Sequence, residues 1–187
     1  MWIPLKSKQF TFSSKYNFAP GENYDLTIEV SKLNDSDEEI TDVVLSKDIA
    51  AALSQTQRIS MIEHFSSSTC DPCVAVNNTM AELTHNNEGK YTYTKYTVNG
   101  PGMGDPYYTQ EVGTKMSYYN VLSVPQLHFD GAFIDKATIE DAFQSHYDTP
   151  ALANVRGAFN VEGNVINITA DFMSYIKMEN VRAFVTV

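Results

Sequence analysis

Basic residues are scarce in this sequence, and their scarcity argues against two classes of partner. The 187 residues include 13 lysines and arginines against 23 acidic residues, so the net charge is −10. An acidic surface repels the phosphates of nucleic acid and the headgroups of anionic membranes. No lysine- or arginine-rich segment offsets this charge. We therefore expect a partner that is neither nucleic acid nor an anionic membrane surface.

Long apolar runs are also absent. No run approaches the roughly 20 residues that a helix needs to cross a bilayer, so no membrane-spanning segment is predicted. The first ten residues, MWIPLKSKQF, lack the apolar region of a secretory signal peptide. Either the protein is cytosolic, or a targeting signal or lipid anchor lies outside this chain.

Patterns that bind metals or phosphate are missing as well. Two cysteines leave no second CxxC pair, and the four histidines show no paired ligand spacing, which argues against zinc. The acidic stretch at residues 33–39 lacks the spacing and the glycine of an EF-hand. The glycines of residues 99–106 do not follow the GxGxxG pattern. No metal site and no cofactor other than a cysteine pair is predicted.

The sequence does contain two cysteines three positions apart, Cys70 and Cys73. A short apolar segment, residues 59–65, predicts a strand before them, and apolar residues at helical spacing predict a helix after them. The free N–H groups and the dipole at a helix N-terminus stabilise a thiolate. Cys70 is therefore the predicted nucleophile, and Cys73, one turn further, can close a disulfide with it. Pro72 is compatible with a first helical turn.

Two other interpretations of the cysteine pair stay open. The pair could be a purely structural disulfide, although a bridge across so short a loop adds little stability. Alternatively, the fold keeps the pair but has lost thiol exchange. The spacing of the cysteines does not separate these alternatives from an active pair.

Periodicity along the chain predicts three segments. Residues 1–46 form an N-terminal β segment, residues 47–149 an α/β domain, and residues 150–187 a C-terminal β segment, which is expected to be incomplete because its last strand runs to the chain end. The predicted elements are strands at 9–18, 24–30 and 41–45, a helix at 47–57, a strand at 59–65, a helix from the cysteine pair, a strand at 91–98, a helix at 107–119, strands at 121–130 and 132–134, a helix capped by Asp135, and strands at 155–161, 165–170 and 181–187.

Two short motifs carry a resemblance to a known family. They are Phe65 followed by Cys70-Asp71-Pro72-Cys73 at a strand-to-helix junction, and Ser123-Val124-Pro125 at a later strand entry. Through them, residues 47–147 resemble the thioredoxin superfamily. The resemblance implies a central mixed sheet with helices on both faces, here flanked by N- and C-terminal β-sandwich-like strand segments. It also implies a cis Pro125 against the cysteine pair. The substrate-binding residues that it implies are Val124, Pro125, Asp71 and Pro72.

The flanking strands and the EHF…C pattern that begins at Glu63 resemble a narrower group. They are similar to the outer-membrane or surface thioredoxin-like proteins of Bacteroidetes-type bacteria. This resemblance implies a secretion or lipoprotein signal outside the chain. It also implies a periplasmic or cell-surface location rather than a cytoplasmic one.

The sequence departs from the thioredoxin pattern at two positions. Thr69 stands where thioredoxins carry a tryptophan before the first cysteine, and the one tryptophan here is Trp2. His64 stands where they bury an aspartate as the proton acceptor for the second cysteine. A histidine can serve as such a base, so His64 joins Cys70 and Cys73 as a candidate catalytic residue. Alternatively, His64 is a hydrogen-bonded core side chain, or Glu63 is the acceptor if the strand is offset by one residue.

The predicted function is thiol–disulfide exchange on protein or peptide disulfides, with a separate redox partner protein. Asp71 should raise the pKa of Cys70 by like-charge repulsion, which favours a reductase. The alternative function is a surface adhesion or binding module that uses a thioredoxin-like scaffold without catalysis. Exposure of the Cys70 sulfur separates the two, because a buried pair favours the scaffold and an exposed pair favours catalysis.

Overall fold

The computed structural model describes residues 11–30, 44–182 and 184–185. Its contacts divide the chain into two units. One unit is continuous and runs from Gln55 to Ala151, whereas the other combines the chain before Gln55 with the chain after Ala151. Two backbone hydrogen bonds join the ends of the continuous unit. Thr56 N donates to Ala151 O at 3.0 Å, and Ala151 N donates to Thr56 O at 2.9 Å.

The continuous unit contains a strand, helix, strand, helix, two strands and a helix, which is the order predicted for residues 59–147. Its first helix begins at the second cysteine, as the apolar spacing predicted. In the described residues, the elements are β1 (Asn23–Glu29), β2 (Val44–Ala50), β3 (Ser60–Ser66), α1 (Cys73–Asn86), β4 (Tyr91–Thr97), α2 (Gln110–Tyr118), β5 (Gln126–Phe129), β6 (Ala132–Ile134), α3 (Ile139–Asp148), β7 (Ala153–Glu162) and β8 (Val165–Ser174).

The continuous unit is built on one four-stranded sheet in the order β4-β3-β5-β6. The β3–β4 pair is parallel, and the β3–β5 and β5–β6 pairs are antiparallel. Side chains of α1 and α3 pack against one face of the sheet, and those of α2 pack against the other. The strand pairs β1–β2 and β7–β8 form separate antiparallel sheets in the other unit. These features confirm the predicted fold class.

Alternation along β3 sends its side chains into two separate cores. Ile62 packs with residues of α1 and α3, whereas Phe65 packs with Val112 of α2, and both β3 side chains are fully buried. Residues two apart on a strand share a face of the sheet. His64 therefore lies on the Ile62 face, and Glu63 lies on the Phe65 face.

The helix predicted at residues 47–57 is wrong. Residues 47–50 belong to β2, which pairs antiparallel with β1 and places Lys47 opposite Leu26. The stretch that includes Ala50 and Ala51 suits a helix by propensity alone, but propensity is a weak preference that tertiary pairing overrides. The pairing partner is distant in sequence, so a local pattern could not reveal it.

Three smaller predictions also need correction or restriction. Residues 11–18, 181, 182, 184 and 185 are not in strands, and the remaining parts of the predicted strands 9–18 and 181–187 lie outside the described residues. The acidic stretch 33–39 lies outside them too. Asp135 does not cap α3, because Thr138 occupies the N-cap position and Asp135 Oδ1 accepts from Ala137 N at 2.9 Å in the preceding turn. The predicted hairpin turn at Gly163 is confirmed.

Candidate redox site

The two cysteines form a disulfide at the junction between β3 and α1. The Cα atoms of Cys70 and Cys73 are 5.3 Å apart, and Cys73 N donates to Cys70 O at 3.0 Å. Pro72 occupies the N-cap position in helical geometry, which it tolerates because a first-turn N–H has no intrahelical partner. Cys70 therefore lies just before the N-terminus of α1, where the helix dipole stabilises negative charge.

The cysteine pair is largely shielded from solvent. Cys70 is 3% exposed and Cys73 is fully buried, whereas Asp71 and Pro72 between them are exposed. By the criterion stated above, this burial favours a scaffold. Any attack through Cys70 would therefore have to reach a sulfur that is almost completely covered.

The backbone of Val124 lies beside the sulfur of Cys70. The Val124–Pro125 peptide bond is cis, as the family resemblance implied, and Pro125 is buried. The carbonyl oxygen of Val124 lies 3.7 Å from Cys70 Sγ. The two motifs are distant in sequence, yet the fold brings them together at one point.

A groove of about 350 Å³ opens beside Val124. None of the described residues that line it is charged, and Leu122 among them is 86% exposed. An uncharged groove of this kind can accommodate an apolar or uncharged peptide segment. The lining residues are Val98, Asn99, Gly100, Pro101, Met116, Leu122, Ser123 and Val124.

His64 is fully buried on the sheet face against which α1 packs. Its Nδ1 lies 2.8 Å from Tyr93 Oη, and its Nε2 has no hydrogen-bond partner among the described residues. Burial, with a smaller contribution from the charge of Lys95, lowers the pKa of His64 to about 4. The imidazole is therefore neutral at pH 7. Cys73 also belongs to the buried face of α1, so both side chains lie between that helix and the sheet.

Glu63 is a buried carboxylate on the opposite face, and it is not the acceptor beneath Cys73. It is 2% exposed, and its Oε1 accepts from Tyr96 Oη at 2.8 Å and pairs with Lys115 Nζ at 2.9 Å. Tyr119 Oη donates to its Oε2. Burial alone would raise the pKa of Glu63, but the hydrogen bonds from Tyr119, Lys115 and Tyr96 outweigh it and lower the pKa.

Sequence reasoning missed this cluster because its members come from β3, β4, α2 and the residue that follows α2. The one available signal was an acidic residue inside an otherwise apolar strand, which indicates a buried partner without identifying it. His128 completes the cluster by stacking on Tyr119, with ring centroids 4.1 Å apart. The side chain of His128 is buried, and burial lowers its pKa.

Asp105 was also missed. It is 9% exposed, its Oδ2 accepts from Ser68 N at 2.8 Å, and its Oδ1 accepts from Tyr107 N at 3.0 Å. The Asp-Pro pair after a glycine-rich stretch indicates a turn of this kind. The bond to Ser68 was not predictable, because it joins two loops that are distant in sequence.

The described residues contain no cluster of three or more histidine, cysteine or acidic side chains arranged to hold a metal ion. Among the same residues, no helix has the length and apolar character needed to cross a membrane.

The solved structures similar to this chain include the two described below, whereas no protein-family model and no curated protein matches it. The chain is similar to thioredoxin O2 from Arabidopsis thaliana in the oxidized state, with 18% identity and a TM-score of 0.37. That match covers 48% of this chain and 76% of the plant protein. It is also similar to a protein of Agrobacterium tumefaciens, with 21% identity and a TM-score of 0.45. This second match covers 62% of the present chain and spans only 57% of the Agrobacterium protein.

Proposed function

We propose that this protein is a thiol–disulfide oxidoreductase that acts on protein or peptide disulfides through Cys70 and Cys73. One observation carries the proposal. The disulfide stands at the N-terminus of α1, and the carbonyl of Val124, before a cis proline, lies 3.7 Å from Cys70 Sγ. A nucleophile and a backbone group that can bind an extended peptide are thus held side by side.

The reductive half of the cycle begins with both cysteines reduced. The Cys70 thiolate attacks one sulfur of a substrate disulfide, the substrate S–S bond breaks, and the other substrate sulfur leaves as a thiolate that takes a proton. Cys73 then loses its proton and attacks Cys70 Sγ in the mixed disulfide. The second substrate thiolate leaves, and two electrons have moved to the substrate. A redox partner protein returns the electrons by reducing the Cys70–Cys73 disulfide.

His64 is proposed to accept the Cys73 proton in the second step. A buried imidazole can take this role if Nδ1 donates to Tyr93 Oη, because its Nε2, which no described residue contacts by a hydrogen bond, then carries the lone pair. A pKa of about 4 makes it a weak base at rest. However, the developing Cys73 thiolate would raise that pKa by attraction. The alternative is a core side chain held by Tyr93. Exchange rates that are unchanged in His64→Leu from pH 5 to pH 8 would exclude His64 from the mechanism.

Substrate binding is proposed to use the backbone of Val124 beside Pro125, together with Asp71 and Pro72, which follow Cys70 and are exposed. The neutral groove next to Val124 supports an uncharged or apolar substrate segment. The acidic surface of the protein disfavours acidic substrates by like-charge repulsion.

The test is turnover of a disulfide-containing peptide with glutathione as reductant. The wild-type protein should exceed background, Cys70→Ser should abolish turnover, and Cys73→Ser should trap a mixed disulfide because the resolving sulfur is missing. Mass spectrometry identifies the trapped species. Background turnover by all three proteins would contradict the proposal.

A second candidate function follows from the 3% exposure of Cys70, which favours a binding module on a redox-inert scaffold. Alkylation of the reduced, folded protein separates the two candidates. An oxidoreductase should alkylate at Cys70 at least about tenfold faster than at Cys73, because only Cys70 meets incoming disulfides. A scaffold should resist alkylation at both sulfurs until it is unfolded.

The location and the narrower family are proposals as well. The resemblance of the EHF…C pattern and of the flanking strands supports a periplasmic or cell-surface thioredoxin-like protein of a Bacteroidetes-type bacterium. A secretion or lipoprotein signal would then lie outside this chain. Fractionation of the source cells with an antibody to the protein tests this proposal, and recovery in the cytosolic fraction alone would contradict it.

A further inference from the structure

Two loops meet beside Cys70 and are joined by side-chain hydrogen bonds. The first loop, residues 67–69, leads from β3 to Cys70, and the second, residues 98–107, leads from β4 towards α2. Asp105 Oδ2 accepts from Ser68 N at 2.8 Å. Thr69 Oγ1 donates to Pro101 O at 2.6 Å. We call this pair of bonds the inter-loop clamp.

We propose that the inter-loop clamp makes Asp105 and Thr69 positioning residues, which hold Cys70 in register with the substrate groove. The inference rests on the proposed oxidoreductase function. Its basis is connectivity, because Ser68 and Thr69 immediately precede Cys70, and Pro101 is part of the groove wall. A shift of either loop would therefore move the sulfur relative to the wall against which a substrate binds.

The second loop is rigid at the position of Asp105. Asp105 N donates to Val98 O at 3.0 Å, and its Oδ1 accepts from Tyr107 N, so backbone and side chain are both fixed. Gly104 has a φ of 79°, and a Cβ there would collide with the side chain of Asn99. Only glycine fits this conformation without strain. The carboxylate is thus held against Ser68 N by a loop whose backbone is fixed at this position.

The carboxylate is ionised at neutral pH, which strengthens its bonds. The N–H of Tyr107 contributes most to lowering the pKa of Asp105, burial opposes this effect, and Ser68 and the charge of Lys95 lower it further. Hydrogen bonds from backbone N–H groups to an ionised acceptor are about twice as strong as neutral ones. The Asp105 bond is therefore the stronger of the two in the clamp.

Thr69 forms the second bond because its side chain is small and carries a hydroxyl. The hydroxyl lies 2.9 Å from Ser67 Oγ while it donates to Pro101 O. Ser67 O in turn accepts from Cys70 N at 3.3 Å. The residue before the nucleophile is thus tied both to its own turn and to the groove wall.

The experiment compares Asp105→Asn, Thr69→Val and the double variant with Asp135→Asn. Asp135 is a matched control, because its Oδ1 accepts from the N–H two residues later, as Asp105 does, but no second loop is bound in that contact. We expect Asp105→Asn to lower kcat/KM for a peptide disulfide by about tenfold, mainly through KM, and Thr69→Val by about threefold. The fold-loss of kcat/KM in the double variant should be smaller than the product of the two single-variant fold-losses, because both bonds hold the same pair of loops together. Asp135→Asn should stay within about twofold of wild type.

Amide exchange of residues 66–70 gives a readout that does not depend on turnover. Asp105→Asn should speed exchange in this segment about tenfold while β5 exchanges as in wild type, because the carboxylate that accepts from Ser68 N is lost. Equal exchange in Asp105→Asn and Asp135→Asn would overturn the clamp. So would equal KM values in an active protein. If the wild-type protein shows no turnover, the proposed function fails. The clamp then fails as a catalytic positioning device, even if Asp105→Asn speeds amide exchange of residues 66–70. If Asp105→Asn does not fold, Thr69→Val alone decides, since Thr69 is exposed: wild-type KM and exchange would overturn the clamp.

Discussion

The hydroxyl of Tyr119 should be worth more to stability than the hydroxyl of its sequence neighbour. Tyr119→Phe keeps the ring that stacks on His128 and removes only the bond to Glu63. A hydrogen bond to a charged group contributes about 1.5–3 kcal/mol. Because Glu63 is 2% exposed, water cannot replace the lost donor without opening the core. We therefore expect a loss of about 1.5–3 kcal/mol at pH 7.

The pH dependence of this loss has a definite sign. The folded-state pKa of Glu63 lies below its ordinary value of 4.5, so its stabilising contribution is complete above pH 4.5 and is lost as the pH falls through the folded pKa. Removing Tyr119 Oη raises that folded pKa, because burial is then opposed by fewer donors. The difference between wild type and Tyr119→Phe should thus be largest near neutral pH and should shrink in acid.

Amide exchange of β3, normalised for intrinsic rates at each pH, measures the effect in the unit that contains Glu63. The expected loss corresponds to roughly tenfold to a hundredfold faster exchange at pH 7. Tyr118→Phe is the control, because it removes a hydroxyl from a residue that is 66% exposed, and it should change stability by less than about 0.5 kcal/mol. Equal effects of the two substitutions at pH 7, or a Tyr119→Phe deficit that grows as the pH falls into the acid range, would refute the reasoning.

Two further predictions concern the other face and the core. The pKa of His64 falls from an ordinary 6.5 to about 4 in the folded state, so the unfolded chain binds the proton first as the pH falls. The free energy of unfolding of the wild-type protein should therefore drop by about 3 kcal/mol between pH 6.5 and pH 4. In urea titrations across that range, His64→Leu should show a correspondingly smaller drop. A wild-type stability that is flat over this window would contradict the burial argument. Phe65→Ala should lower the free energy of unfolding by about 3–5 kcal/mol in the same assay, because Phe65 is fully buried. The control Phe133→Ala, at a residue that is 64% exposed, should lower it by less than about 1 kcal/mol. Equal losses would show that Phe65 is not a core residue of the folded state.

Local sequence patterns predicted the continuous unit better than the flanks, for a physical reason. A short apolar run predicted β3 and apolar residues at a period of 3.6 predicted α1, since burial of apolar side chains leaves a local pattern. The helix predicted at residues 47–57 failed because the pairing of Lys47 with Leu26 depends on a distant strand. No local pattern carries that information.

The same distinction applies to the site. The cysteine pair is a local motif, and the family resemblance supplied Val124 and Pro125. The cluster around Glu63 and the hydrogen bond from Ser68 N to Asp105 form where elements that are separate in sequence meet in space. A charged residue within an apolar strand showed only that some partner must exist.

The reciprocal bonds between Thr56 and Ala151 have a consequence for biosynthesis and engineering. A discontinuous unit normally has to close a long loop before its two halves can meet, at an entropic cost that grows with loop length. Here the intervening chain brings its own two ends together as it folds. We therefore expect the insert to fold first and its host second. The same geometry makes Gln55–Ala151 the natural segment to excise, or to replace with another fold whose ends lie equally close.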